Sequence, residues 1–433
     1  MTKISLDTEA NERRCVNGII PEYLEYAEGQ ESPSDFHLWC ILGAIGCSLG
    51  RTVWLDRFFH KIYPNLYIIL IGESALVHKN TALNMAIHPL REAYPDLFVV
   101  TQKISPQKLS SMLADIYEKR KVSELLIHAN ELSVLLGQSK LDDTLLKVLT
   151  DYWDCPVYSE YSTVARGVEV AKDVCINLMG GTTPSWLKNS LPLESLEGGF
   201  LSRLILVSRP ASGIKQPHPE DLASASKFRK LENVTHDLCY INTNIAGPYE
   251  WDSEAKRLFS NWYINHNAPE KAVSFMRGYY GRKGDMIVKL AMINAASKGD
   301  EKIITKEDIF FGISILNENE VFIEDVIKGL GTTEDGKKYQ TVLDRIISNQ
   351  VDVPRGTGWK TVTGMEHSKL MRAVGHQFNG RDLSEVISSL ISADEIVVEY
   401  IGKKKVYVSM EHKALPEERS VEQQKLKEGG NNE

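Results

Sequence analysis

The chain lacks any apolar stretch long enough to cross a membrane. Its longest apolar runs, Leu66 to Gly72 among them, fall far short of the roughly 20 residues a span needs. C-x-x-C spacing is also missing. The six cysteines, Cys15, Cys40, Cys47, Cys155, Cys175 and Cys239, are scattered, which argues against zinc ligation or a disulfide framework and for reduced packing residues. Met1 to Arg14 is polar, carries both charge signs and has no apolar h-region, so no secretory signal is expected and the expected location is the cytoplasm. Excess positive charge is lacking too: 50 Lys and Arg face 58 Asp and Glu, a net charge of −8. That excludes a wholly basic nucleic-acid coat but leaves room for a local basic patch.

What is present is ordinary soluble composition, 42% hydrophobic and 25% charged, in 433 residues, too long for one core. Ile19 to Ser48 reads as helix, punctuated by Pro33-Ser34, with Phe36, Trp39, Leu42 and Ile45 on one face. Strand patterns at Arg51–Leu55, Leu66–Ile71, Leu97–Thr101, Glu124–His128, Val174–Met179 and Leu204–Val207 are separated by helical ones. These include Thr81–Ala93, a helix after the Ser105-Pro106 start signal, and Asp142–Tyr152. Such alternation predicts a mainly parallel α/β sheet. Val157 to Val170 reads as a β-hairpin turning near Arg166-Gly167. Helices are expected at Trp251–Tyr263, Lys283–Ser297 and Lys306–Lys328. The expected segments are an N-terminal helical one at 1–60, an α/β core at 61–210, a helical region at 211–330, a small α/β unit at 337–413 and a disordered charged tail at 414–433.

The strongest chemical signal follows the strand Ile68–Ile71. Gly72, Glu73, Ser74, Ala75, Leu76, Val77, His78, Lys79, Asn80 and Thr81 have the parts of a phosphate-binding loop: a buried strand, a flexible turn, and a helix start with a Lys at its mouth. The spacing is one residue longer than G-x-x-x-x-G-K-[ST], the second Gly is absent, and Asn80 stands where Ser or Thr is expected. Thr81 is the candidate for the Mg²⁺ role; an ordinary βα turn with a surface Lys is the alternative. The strand Leu125–His128 runs into Ala129-Asn130-Glu131, where an ATPase positions Mg²⁺ and polarises water. Asn130 replaces the expected Asp and can hold a Mg²⁺-bound water through its amide oxygen, which leaves Glu131 as the one charged group. Thr182, in Gly180-Gly181-Thr182-Thr183-Pro184, could contact a γ-phosphate, unless this segment is only a turn. Arg203, after Gly198-Gly199-Phe200-Leu201-Ser202, could project into a neighbouring subunit's nucleotide, or be a salt-bridged surface Arg. Arg282 and Lys283 are weaker candidates for a contact to the same phosphate.

In their order and spacing these segments resemble the prophage and mobile-element AAA+ ATPases of the YfjI-like group, which look like replicative helicases. The resemblance runs from about Ile19 to Lys328 and includes the lead-in Pro64-Asn65-Leu66-Tyr67. It implies an AAA+ P-loop core with a helical lid, a hexameric ring of this chain, ATP with Mg²⁺, and DNA as partner, alongside other replication proteins. Asn80 and Asn130 depart from the expected pattern at the metal. In 337–413, helices precede a hairpin with turn Ile401-Gly402-Lys403, the layout of a winged helix. This segment holds 12 Lys and Arg against 9 Asp and Glu, +3 in a chain of −8. Lys403, Lys404 and Lys405 at the wing tip suit phosphate contacts, and Arg166 at the other hairpin would line the ring's channel. The reading that follows is an ATP-driven DNA helicase or translocase serving replication of a phage or similar element. The alternative is an ATP-binding scaffold that recruits DNA or loads a helicase with little hydrolysis. The chain has neither a primase signature nor a nuclease metal cluster.

Overall fold

The structure, a computed structural model, describes residues 12–136, 144–163, 167–190, 199–268, 274–327, 334–349, 351–354, 361–375, 378, 380–392, 395–402 and 404–409. Arg166, Lys403 and the tail 414–433 lie outside the described residues. The chain divides into two compact units, Met1–Gly331 and Thr332–Glu433.

The first unit begins with helices α1 (Ile19–Ala27) and α2 (Ser34–Leu49) and strands β1 (Val53–Asp56) and β2 (Lys61–Ile62). The alternating core follows: β3 (Tyr67–Ile71), α3 (Lys79–Ala93), β4 (Phe98–Val100), α4 (Pro106–Arg120), β5 (Ser123–Ala129), α5 (Leu132–Leu136) and α6 (Thr144–Tyr152). Then come the hairpin β6 (Tyr158–Thr163) and β7 (Gly167–Lys172), β8 (Val174–Thr182), α7 (Pro184–Ser190) and β9 (Ile205–Ser208). Helices α8 (Ala225–Asn244), α9 (Ser253–Asn265), α10 (Ser274–Lys298) and α11 (Lys306–Ile327), with strands β10 (Gly247–Trp251) and β11 (Ile303–Ile304), complete it.

Five strands form one sheet in the order β4-β5-β8-β3-β9, every neighbouring pair parallel. Every residue of β3, β5 and β8 is buried, as near-continuous apolar strands must be when both faces of a parallel sheet are covered. From β3 the chain crosses to the far edge at β4, returns through β5 to β8 beside β3, and then passes over to β9 on the other side. Connections therefore leave the β3 region in opposite directions, which opens a crevice at the carboxyl ends of its strands. The start signal at Ser105 holds: its side chain accepts a hydrogen bond from Lys108 N at 3.2 Å, with Pro106 at the first helical position of α4.

Three expectations are corrected. The α2 helix is buried on nearly all sides rather than one, because it packs on β3 and β8 and also on α3, α8 and α10. Trp251 ends a strand rather than starting a helix; Asp252 then caps α9 by accepting from Glu254 N at 3.0 Å. That strand, β10, belongs to a second sheet, β11-β10-β1-β2, in which β1 and β10 run parallel. The sheet joins residues from the expected N-terminal segment to residues from the expected helical region.

The second unit holds α12 (Glu334–Ser348), β12 (Val351–Pro354), β13 (Thr361–Glu366), α13 (His367–Val374), α14 (Gly380–Ser392), β14 (Ile396–Ile401) and β15 (Lys404–Ser409). Its sheet, β12-β13-β15-β14, is antiparallel throughout. The β14–β15 hairpin matches expectation, whereas the β12–β13 pair was not read. Pro354 is compatible with β12 because β12 is an edge strand, where a missing N–H costs no ladder bond on its open side. Val342, Ile346, Leu370, Val374, Leu383 and Tyr407 form the core.

Candidate functional site

The loop from Gly72 to His78 leaves the carboxyl end of β3 and turns into α3 at Lys79. Gly72 N donates to Thr182 O at 3.2 Å, anchoring the loop to the end of β8. A side chain at Gly72 would strike Val77, since a Cβ there would lie 2.3 Å from Val77 Cγ2; buried Val77 folds back under the loop. Ala75 (φ 61°) and His78 (φ 47°) both take the left-handed conformation. For residues with a Cβ this costs of order 1 kcal/mol each and persists where the surroundings enforce it, often at ligand sites. Glu73, Ser74 and Leu76 are exposed around this turn. Lys79 is only 5% exposed, and its Nζ donates to Gly72 O at 2.6 Å. Burial pulls the Lys79 ammonium below the ordinary lysine range, while the charges of Glu131 and Glu73 oppose that shift.

Parallel pairing brings the other strand ends to the same place. Ala129 pairs with Gly180 and Ile71 with Thr182, so the segments after β5 and β8 flank the loop. Gly181 sits at the convergence: a Cβ there would lie 2.9 Å from Asn130 O, 3.5 Å from Lys79 Cε and 3.7 Å from Asn80 Oδ1. Asn80 therefore faces the strand ends, and Asn80 and Thr81 are both exposed. The Thr182 hydroxyl is fully buried with no hydrogen-bond partner among the described residues. Thr183 is committed elsewhere, its Oγ1 accepting from Trp186 N at 3.2 Å at the start of α7. Sequence reading assigned His128 no role, yet its Nε2 lies 3.1 Å from Asn130 Oδ1, a hydrogen bond when the ring proton is on Nε2. Burial lowers the His128 pKa against that bond.

A cavity of about 670 Å³, within the range of small-molecule sites, is walled by the end of α1, the start of α2 and the segment after β9. Glu28, Ser32, Asp35, Arg209, Ile214 and Phe322 are among its walls. Glu31 joins it to the Gly72–His78 loop. Its carboxylate lies 2.9 Å from His78 Nε2 and accepts from Gln216 N at 2.8 Å, and its carbonyl accepts from Ser212 Oγ at 2.6 Å. Arg209 directly follows β9 and is held by Asp35 at 2.7 Å, with its guanidinium over the Phe322 ring. Nothing local in the sequence marked Glu31 or Arg209, because their meeting depends on how α1, α2 and β9 pack.

Arg203 is not part of this cluster. It precedes Ile205, which pairs with Ile68 near the start of β3, so it lies at the amino edge of the sheet, about 15 Å of strand from the phosphate loop. Nor does it project from the chain: it is 9% exposed, its Nη2 ion-pairs with Asp154 Oδ2 at 3.1 Å, and its Nη1 donates to Gly199 O at 3.1 Å. Arg282 lies near the same pair and is pulled below the ordinary guanidinium range by burial and by the like charge of Arg203. Lys283 is buried on Glu320 Oε1 at 2.5 Å and donates to Asn317 Oδ1 at 2.7 Å, which corrects its reading as a phosphate contact. Within the second unit, exposed Lys404 pairs with Glu366 at 3.0 Å and Lys405 lies over the Tyr407 ring.

Among the described residues no helix is long and apolar enough to cross a membrane, and no three His, Cys, Asp or Glu side chains are grouped to hold a metal ion. Compared with known proteins, the chain matches no family model and no curated sequence.

Proposed function

We propose that this protein is a P-loop ATPase of the AAA+ type whose nucleotide cycle drives work on DNA, as a helicase or translocase assembled from several copies of the chain. One observation carries the reading. The loop bearing Lys79 leaves the strand at the switch point of a parallel sheet, and Lys79 and Asn80 at the start of α3 face Gly181 and Asn130 at the ends of the adjacent strands. The cavity tied to the loop through Glu31 and His78 has room for a nucleoside.

The chain's own groups divide the work of γ-phosphoryl transfer to water. Lys79 neutralises charge on the β- and γ-phosphates. Glu131 orients the attacking water, and Thr182 offers a hydroxyl with no competing partner to the γ-phosphate. Mg²⁺ bound with the nucleotide would supply further neutralisation of the phosphate oxygens. Asn80, Asn130 and Thr81 are the residues available to hold its water shell. Amide oxygens are weaker ligands than carboxylate, so hydrolysis is slow by the standard of such enzymes. Arg203 serves a neighbouring subunit once Asp154 releases it. DNA is assigned to Lys403, Lys404 and Lys405 of a winged-helix unit and, inside the ring, to Arg166. The replaced carboxylate at Asn130 favours a second reading, a nucleotide-bound scaffold that recruits DNA or another helicase.

DNA-stimulated ATP hydrolysis by the parent chain, measured against Lys79→Ala and Glu131→Gln, separates the two. Stimulated turnover lost in both variants supports the engine. Nucleotide binding without turnover in the parent supports the scaffold, and parental affinity in Lys79→Ala removes the loop from either reading.

A further inference from the structure

At the amino edge of the sheet, away from the phosphate loop, two of the six cysteines meet. The hairpin pairing of Tyr158 with Lys172 continues through hydrogen bonds from Asp173 N to Val157 O (2.9 Å) and from Val174 N to Pro156 O (3.1 Å). Beyond these bonds Cys155, in a turn, and Cys175, at the start of β8, pack together with Tyr63 in one small buried cluster, thiol beside thiol. Both thiols are free and buried, but Cys155 lines a cavity of about 250 Å³. Exposed His60 and Lys61 line the same cavity, so it connects Cys155 to solvent.

Two basic side chains flank the pair, Lys289 with its ammonium pulled below the ordinary lysine range by burial, and Arg51. Lys289 is buried, donates to Asn65 Oδ1 at 2.6 Å and to Asn65 O at 3.2 Å, lies over the Trp153 ring at 3.8 Å, and lines the cavity. Arg51 donates to the carbonyls of Cys155 (2.6 Å) and Val174 (2.7 Å). Burial alone would raise the Cys155 pKa. The hydrogen bond from Cys175 and the charges of Lys289 and Arg51 outweigh it, and Cys155 falls below the ordinary thiol value while Cys175 is held above it.

We infer that Cys155 and Cys175 form a peroxide-oxidisable thiol pair, with Cys155 the attacking thiol and Cys175 the resolving one. The Cys155 thiolate attacks one oxygen of a hydroperoxide; an S–O bond forms, the O–O bond breaks, and the departing oxygen takes a proton to leave as water or alcohol. The Cys175 sulfur then attacks the sulfenic sulfur; the S–S bond forms, the S–O bond breaks, and hydroxide leaves with the Cys175 proton as water. Two thiols lose two electrons and two protons, and the hydroperoxide is reduced by the same two electrons. The bridge staples the turn between α6 and β6 to the start of β8, next to Asp154, the partner of Arg203.

The test treats the intact chain with a hydrogen peroxide series, then unfolds and alkylates it and maps the peptides without reductant. A Cys155–Cys175 crosslink, reversed by a dithiol and formed while Cys40 and Cys47 stay alkylatable, is the expected result. In Cys175→Ser the sulfenic acid at Cys155 should be trapped by dimedone. Folded Lys289→Met should form the crosslink about tenfold more slowly, one pKa unit being a factor of ten in thiolate; an unchanged rate overturns the part given to the ammonium. Because the parent chain itself is measured, the outcome does not depend on any variant folding. Cys155 and Cys175 both fully alkylatable at a dose that has oxidised the half-exposed Cys239 overturns the inference.

Discussion

The two edges of the central sheet treat charge in opposite ways. At the carboxyl edge Lys79, Asn80, Asn130 and Thr182 converge with few partners, and the Thr182 hydroxyl has none among the described residues. At the amino edge Arg203 with Asp154, Arg51 with Asp173, and Lys289 with Asn65 are held by groups of their own chain. A parallel sheet aligns its strand ends without satisfying the groups beyond them. Whether such an end reads as a site depends on whether neighbouring segments have already supplied partners. The carboxyl edge leaves groups without partners of their own; the amino edge closes its cations in pairs, and Arg203 acts elsewhere only once its own pair opens.

The largest effect bears on that closure. If Arg203 leaves Asp154 to act on a neighbouring subunit, Arg203→Ala should keep ATP binding yet lose about 10³-fold or more in hydrolysis. Mixing it with Glu131→Gln subunits should restore part of the activity. Unchanged hydrolysis per folded molecule would make the amino edge purely structural and the contrast between the edges complete. Next come the carboxyl-edge residues. Glu131→Gln should bind ATP normally and turn over roughly 10²–10⁴-fold more slowly. Lys79→Ala should weaken nucleotide binding about 10–100-fold, as expected for a lost charge-assisted hydrogen bond, in a fluorescent-nucleotide titration.

The wall of the larger cavity is testable by pH. His37 lines it, bonded to Ser32 Oγ at 2.6 Å, and burial together with the charge of Lys227 lowers its pKa from 6.5 to about 4. Between those values the unfolded chain binds a proton at this ring that the folded chain does not. Stability therefore falls as pH drops through this window, by up to about 3 kcal/mol from this group. Urea unfolding at pH 7 and pH 4.5 should show that loss in the parent and not in His37→Gln; equal losses would place the pH sensitivity elsewhere. The smallest effect belongs to the second unit. Replacing Lys403, Lys404 and Lys405 with Ala should weaken duplex DNA binding about equally for all sequences and flatten its salt dependence by up to ~0.9 log unit per lost phosphate contact. The Lys404–Glu366 pair competes only weakly, exposed pairs being worth about 0–1 kcal/mol. Unchanged salt dependence would move DNA contact away from this hairpin.

Local chemistry was legible along the chain. The apolar runs that became β3, β5 and β8, the Ser105-Pro106 helix start, the β6–β7 hairpin and the turn from β3 into α3 each depend on neighbours within a few residues. Thr182 could be preferred over Thr183 because Pro184 restrains the latter, and Thr183 turned out to cap α7. The β12–β13 pairing carries a weaker mark, because Pro354 argues against a strand, although an edge strand tolerates it.

Residue order alone therefore determined most strands of the central sheet and the strand–loop–helix that carries Lys79. The tertiary structure decided the strand order β4-β5-β8-β3-β9, the meeting of Asn80 with Gly181 and Asn130, the link from His78 through Glu31 to the cavity, and the pairing of Cys155 with Cys175. It also placed Arg203 on Asp154 at the edge opposite Lys79. Periodicity and turn residues act over a turn of helix or a pair of adjacent residues, so they leave a mark in the sequence. Parallel pairing joins strands many residues apart through backbone groups that every residue carries, so it leaves none.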